Sequence, residues 1–188
     1  MRSFQLPTGP FCAAPPVPGD KSLSHRALVL AAMARGESRI LNLAPGEDVA
    51  ATSRALRSLG VEVGADEVSS PGVGGWVAPS GPIDCANSAT TLRLLAGALA
   101  ARPFRTTLVG DASLMARPMA RLIGPLGALG AAVEVGARGR PPVTVGMGRL
   151  RGAEVEVPLP SAQVRSAVAL AALQADGPTR LTSPPGFR

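Results

Sequence analysis

The sequence predicts an α/β (α+β) chain built from repeated βαβαββ units. Helical and strand-like patterns alternate along its 188 residues. Helix openings recur at Ser22, Asn87 and Ser161, a spacing of about 65–75 residues, longer than solenoid repeats. After each of the first two openings the order is the same: helix, strand, helix, strand, strand.

Ser22 to Ala34 carries a continuous helical pattern that stops at Gly36, and Ser38 to Leu43 alternates between Gly36 and Pro45, as a strand does. Glu47 and Asp48 are acids at the start of a helix over Val49–Leu59, which Gly60 closes. Val61–Val63 and Gly75–Ala78 read as short strands across a Gly/Ser/Pro loop. The second round has a helix from Asn87 to Leu99, a strand over Phe104–Val109 and a helix over Pro118–Leu129. Pro118 suits a helix start, and Gly124-Pro125 predicts a kink or break. Ala132–Val135 and Pro142–Val145 are its strands. The third round has a helix from Ser161 to Leu173, a stop at Gly177 and a strand over Thr179–Thr182, and there the pattern ends. The repeats are placed at about residues 18–80, 81–146 and 147–188, the last truncated. Residues 1–17 are Pro-rich and irregular, with room for one short strand.

Composition excludes several classes. Hydrophobic residues are 46% and charged residues 17%, enough apolar material for a globular core. The net charge of +6 admits acidic partners, yet the arginines are scattered and aromatics are 3%, which argues against nucleic acid. Cys12 and Cys85 lie far apart and His25 is the one histidine, so neither a structural metal, a disulfide framework nor a cofactor is expected. The first residues have no apolar secretory core and no apolar run is long enough to span a bilayer. The expected setting is the cytoplasm, away from membranes.

The chemistry concentrates at the helix openings. Unpaired N–H groups and the helix dipole make a helix N-terminus attractive to anions. The first opening, Pro18-Gly19-Asp20-Lys21-Ser22-Leu23-Ser24-His25-Arg26, adds an ammonium, a hydroxyl and a guanidinium that folds back one turn. Lys21 is the only lysine; the other eighteen basic residues are arginines. The second opening offers Asn87, Ser88, Thr90 and Thr91 with Arg93 behind, and the third Ser161, Gln163 and Arg165. Gly110-Asp111 leads to Arg117, just before another helix. Taken singly, each feature has an ordinary reading. Ser22, Asn87 and Ser161 are preferred N-caps, arginines are commonly solvated, and Asp20 and Asp111 suit turns. His25 has no acid or nucleophile beside it and reads as a capping or packing residue. The stretch is not a Walker A loop, which needs glycine directly before the lysine. Three equivalent openings with polar groups outweigh any one.

PGDKSLSHRALVLAAMARGESRI resembles the N-terminal signature of the 5-enolpyruvylshikimate-3-phosphate synthase family. In register, ANSATTLRLLAGAL, LVGDASLMARPMARLIGPLGALGAAVE and PSAQVRSAVALAALQADGPTRL resemble that family's later segments, from Val17 to Arg188. Asp20-Lys21-Ser22 with Arg26 favours this family over its sister, which builds an enolpyruvyl ether of UDP-N-acetylglucosamine and has Ala-Lys-Asn at this corner. The resemblance implies one lobe of the enolpyruvyl transferase fold. It implies transfer of enolpyruvyl from phosphoenolpyruvate to the 5-hydroxyl of shikimate 3-phosphate, with phosphate released, in aromatic amino acid biosynthesis. It further implies that Lys21 touches both substrates. Ser22, Arg26, Ser161, Ala162, Gln163 and Arg188 would hold shikimate 3-phosphate. Asn87, Ala89, Thr90, Arg117 and Gln163 would hold phosphoenolpyruvate. Asn87-Ser88-Ala89-Thr90 has alanine where many members have glycine, similar to the glyphosate-tolerant class, so the Ala89 methyl is expected to exclude glyphosate.

By the same resemblance, residues 1–17 belong to a second lobe, and that missing C-terminal lobe supplies the proton-transferring acids and further basic residues. Family enzymes are usually monomeric. The chain alone is therefore expected to hold substrates in half a cleft without turnover. A non-catalytic half-domain that binds phosphorylated metabolites is the alternative.

Overall fold

A computed structural model describes Gly9, residues 17–158 and residues 160–184. The expectations for Cys12, Arg188 and most of residues 1–17 lie outside the described residues.

Helix α1 spans Lys21–Met33. Its N-cap is Asp20 rather than Ser22: the extended backbone after Pro18-Gly19 lets the Asp20 carboxylate accept from Leu23 N at 2.8 Å. The chain leaves α1 extended at Ala34 and enters β1 (Arg35–Arg39) at once. The strand expected at Ser38–Leu43 therefore lies about one turn earlier in sequence, because its register is set by a partner the alternation does not reveal. That partner is β3 (Glu67–Pro71), antiparallel to β1 from Arg35↔Pro71 to Arg39↔Glu67. The segment Glu67-Val-Ser-Ser-Pro71 reads as loop by composition, yet it is the central strand. Helix α2 covers Glu47–Arg57, and β2 (Glu62–Val63) pairs with the other edge of β3. No strand forms at Gly75–Ala78. A 3₁₀ turn occupies Val73–Gly75, and Trp76 is buried with its indole Nε1 donating to Ala32 O at 3.1 Å.

The second unit begins with β4 (Ile83–Asp84), too short to carry an alternation signal. Helix α3 (Ala89–Ala98) crosses to β5 (Arg105–Val109), which lies parallel to β4. A short α4 (Ala112–Met115) follows, then a 3₁₀ turn at Ala120–Leu122 running into α5 (Ile123–Ala128). The single helix expected over Pro118–Leu129 is thus broken ahead of Gly124-Pro125. Pro125 falls in the first turn of α5, where its missing N–H has no helical partner to lose. Strands β6 (Val133–Val135) and β7 (Val143–Gly146) complete a sheet of order β4-β5-β7-β6. The third unit adds β8 (Glu154–Glu156), α6 (Ala162–Ala172) and β9 (Arg180–Thr182), with β8 parallel to β9.

The sheet order β1-β3-β2 reproduces β5-β7-β6, and the parallel pair β8-β9 reproduces β4-β5. This is the α+β repeat that the sequence pattern predicts. The core is one cluster in which α1, α2, α3 and α6 bury Leu28, Leu56, Leu92, Leu95, Leu99 and Val168 completely. Helices α3 and α6 come close at Gly97, where an added methyl carbon would stand 2.1 Å from Ala167 O. At their C-terminal ends, buried Arg102 donates to Val73 O and to Gln174 Oε1, and Gln174 Nε2 donates to Ala98 O. Near the N-terminal ends, Arg26 Nε on α1 donates to Ser166 Oγ on α6 at 3.1 Å. These contacts join like ends, so α3 and α6 run in the same direction, and the N-terminus of α1 lies at their N-terminal end.

Candidate anion-binding site

The shared direction of the helices gathers the polar openings of α1, α3 and α6 at one end of the core. At the first, Lys21 is exposed and its ammonium pairs with Asp48 in the first turn of α2. Arg26 folds back one turn to donate to Ser22 O at 2.9 Å and stays half-buried. Ser22 itself is exposed.

At the second opening the N-cap is Ser88, not Asn87. Ser88 Oγ accepts from Thr91 N at 3.1 Å. That frees the Asn87 side chain, which is held between two charges: Nδ2 donates to Asp111 Oδ2 at 2.7 Å and Oδ1 accepts from Arg117 at 2.6 Å. Asp111 caps α4 through Leu114 N at 2.8 Å. That backbone N–H, and next the Asn87 amide, hold its carboxyl below the ordinary carboxylate range. Ala89, the first residue of α3, is buried, and Thr90 beside it is half-buried. Arg93 reaches Pro118 O, and burial pushes its guanidinium below the ordinary arginine range, followed by the nearby charges of Arg121 and Arg117. Among the described residues, the guanidiniums of Arg93, Arg117 and Arg121 outnumber the one neighbouring carboxylate, Asp111, and give the second opening a positive field.

Ser161 caps α6, accepting from Val164 N at 3.3 Å, and Ala162 and Gln163 are the first helical residues. Their opening connects to the first through the Arg26–Ser166 bond. Of the sequence-derived site residues, the structure joins Arg26 to Ser22, Asn87 to Arg117, and the α1 opening to α6.

Sequence reasoning missed two groups. Asp48 is a helix-start acid, as expected, but it also binds the lone lysine. Asp111 is more than a turn residue, because it fixes the Asn87 amide. A single lysine preceding an acidic helix start is a hint, but the pairing depends on α1 packing against α2. His25 is fully buried, and burial pushes its imidazole down to about 4, with the Asp48 charge opposing and the Lys21 and Arg26 charges assisting. Burial favours its neutral form and keeps the ring away from solvent at the opening. Among the described residues, no three His, Cys, Asp or Glu side chains gather as a metal site.

A profile of EPSP synthase (3-phosphoshikimate 1-carboxyvinyltransferase) matches residues 14–186. The chain belongs to the EPSP synthase family. It is 50% identical over 174 residues to the 3-phosphoshikimate 1-carboxyvinyltransferase of Alkalilimnicola ehrlichii, covering 89% of this chain and 39% of that protein. It is 48% identical over 172 residues to the Limosilactobacillus fermentum protein of the same name, covering 89% and 40%. A solved EPSP synthase from Acinetobacter baumannii superposes with TM-score 0.86 at 40% identity, over 92% of this chain and 40% of that one. The chain thus spans about two fifths of the length of these relatives, and the fold is that of an EPSP synthase fragment.

Proposed function

We propose that this chain is the N-terminal, substrate-holding portion of a 3-phosphoshikimate 1-carboxyvinyltransferase. The observation that carries the reading is the convergence of the α1, α3 and α6 openings, with Lys21, Arg26 and Arg117 among them, on one end of the core. Shikimate 3-phosphate and phosphoenolpyruvate each carry a phosphate and a carboxylate, and such a donor-rich set of helix openings suits two anions. In the proposal Lys21 lies between them. Ser22, Arg26, Ser161, Ala162, Gln163 and, outside the described residues, Arg188 hold shikimate 3-phosphate. Asn87, Ala89, Thr90, Arg117 and Gln163 hold phosphoenolpyruvate. The enolpyruvyl group passes to the 5-hydroxyl and inorganic phosphate leaves. A planar guanidinium at Arg117 fits carboxylate or phosphate in bidentate fashion, and its clasp on Asn87 keeps it in place.

The carboxylates of Asp20, Asp48 and Asp111 at this end are ill suited to move protons, Asp20 because it caps α1. Asp48 is engaged by Lys21 and Asp111 caps a helix. Proton transfer is therefore assigned to a C-terminal lobe, in line with the chain's share of its relatives' length. Within the proposal, residues 18–80, 81–146 and 147–188 are the units of the lobe. Titration calorimetry of the 188-residue chain with shikimate 3-phosphate tests the reading: saturable binding is expected, strengthened by a supplied C-terminal part, with no phosphate release until that part is added. Absence of binding under both conditions refutes it, and robust turnover by the chain alone refutes the assignment of proton transfer.

The proposal extends to glyphosate. Ala89 begins α3 and is buried, so its methyl narrows the opening where many relatives are expected to have glycine. In the completed enzyme, Ala89→Gly should lower the glyphosate inhibition constant by more than it changes the KM for phosphoenolpyruvate. An unchanged constant would sink this part.

A further inference from the structure

Lys21 and His25 lie four residues apart on α1, and Asp48 and Thr52 lie four residues apart on α2. Residues at this spacing share a helix face. The two pairs meet as two rungs between the helices. The outer rung is the Lys21–Asp48 ion pair at the opening. The inner rung is His25 Nδ1 to Thr52 Oγ1 at 2.7 Å, with both side chains fully buried. Thr52 Oγ1 lies 2.7 Å from Thr91 Oγ1, which lies 2.7 Å from Ser88 Oγ, the cap of α3. The Asp48 carbonyl sits 3.3 Å from Thr91 Oγ1 and 3.5 Å from Thr52 Oγ1. Both threonine hydroxyls therefore lie against the backbone of the residue whose carboxylate holds Lys21.

Stability does not explain the inner rung. Burying an imidazole and two hydroxyls costs desolvation, and apolar side chains of the same shape would fill the space as well or better. His25 Nε2 is buried with no hydrogen-bond partner among the described residues, a further cost. A polar network gives directional contacts that apolar packing lacks, so it fixes how α1, α2 and α3 sit relative to one another at their openings.

We propose that His25 and Thr52 are positioning residues for Lys21: the inner rung sets the first turn of α2, and through Asp48 it fixes the ammonium at the opening. This rests on the substrate-holding reading of Lys21 only for its consequence in binding. The geometry of the rung stands without it.

The test uses the uniqueness of Lys21. Growth on isotope-labelled lysine gives the full 188-residue chain one labelled lysine side chain, and so one lysine NMR signal. Asp48→Asn marks where that signal moves when the outer rung is lost. Thr52→Val keeps the shape and removes the hydroxyl; it should move the Lys21 signal in the same direction as Asp48→Asn and weaken shikimate 3-phosphate binding about fivefold, the size expected for one hydrogen bond. Thr52→Ser should restore both. Gln174→Ala, at the opposite end of the helices, should lower stability and leave the signal in place, which a general loosening of the fold would not. His25→Leu is the second probe, with Thr52→Val sufficient if that variant does not fold. A folded Thr52→Val chain with an unmoved Lys21 signal overturns the proposal, as does Asp48→Asn leaving it unmoved. A Thr52→Val shift in a chain whose Lys21 signal ignores shikimate 3-phosphate upholds the rung and overturns the substrate reading.

Discussion

Replacing Gly97 by alanine sets two physical effects against each other. Gly97 lies in the last turn of α3, one residue before its end. Helix propensity alone predicts that alanine stabilises by about 1 kcal/mol. The tertiary contact predicts the reverse. The added carbon would meet Ala167 O at 2.1 Å and Ala167 C and Cα at 2.7 Å, where ordinary contact begins at 3.4 Å, and those are backbone atoms of α6 with no rotamer to give. The helices must separate. Their facing residues Leu95, Ala167, Val168 and Ala171 are all at least 95% buried, and a gap of 0.5–1 Å already forfeits about a quarter to a half of each contact's dispersion energy. Overpacking of this kind costs about 1–3 kcal/mol, and a backbone clash belongs at the upper end. After the propensity gain, a net loss of about 2 kcal/mol is expected, or a fall in Tm of about 4–8 °C for a chain of this size. Gly127 is the control. It lies inside α5 with nothing within 4 Å of an added methyl, so Gly127→Ala should stabilise by about 0.5–1 kcal/mol. Urea unfolding followed by circular dichroism reads both. A Gly97→Ala chain as stable as the parent, with Gly127→Ala behaving as expected, would refute the close α3–α6 approach.

Three further outcomes follow from buried groups. His25 is a base whose folded-state value, about 4, lies below its ordinary 6.5. Between those values the unfolded chain binds a proton the folded chain refuses. Its stability contribution is therefore complete above pH 6.5 and falls by about 1.4 kcal/mol per pH unit towards pH 4. Urea midpoints of the parent and His25→Asn chains should converge as pH falls through this window, and parallel curves would count against it. Burial and then Asp84 push the Cys85 thiol up to about 12, so in a Cys12→Ser chain a thiol reagent at pH 8 should react only as fast as the protein unfolds. Prompt labelling would contradict the burial. Arg102 ties Val73 O to Gln174 at the C-terminal ends of α3 and α6, and Arg102→Met strands both acceptors. A loss of about 2–3 kcal/mol in unfolding free energy is expected, and a neutral effect would show that the clamp is idle.

Much of the architecture is written in local pattern. The 3.6-residue periodicity of α1, α2, α3 and α6 and the caps and glycines around them are backbone and side-chain preferences acting within a few residues, and these helices form close to where the pattern puts them. The recurrence of the openings exposed the repeat, and the motifs along it placed the family. The strands were less legible. Glu67–Pro71 became a central strand because β1 and β2 pair with it on both sides, and Ile83–Asp84 is too short to show any period. Pairing is non-local, so composition misled at both.

The site divides along the same line. The sequence alone placed the helix openings to within two residues, because a cap and its first turn are contiguous in the chain, although the caps of α1 and α3 are Asp20 and Ser88 rather than Ser22 and Asn87. Only the tertiary structure decided that these openings face the same end, that the lone lysine is answered by Asp48, that Asp111 and Arg117 orient Asn87, and that His25 is neutral and enclosed. Each of those depends on two helices meeting at a particular height and rotation. Close packing at contacts such as Gly97 against Ala167 fixes that height and rotation, and no segment read by itself contains it.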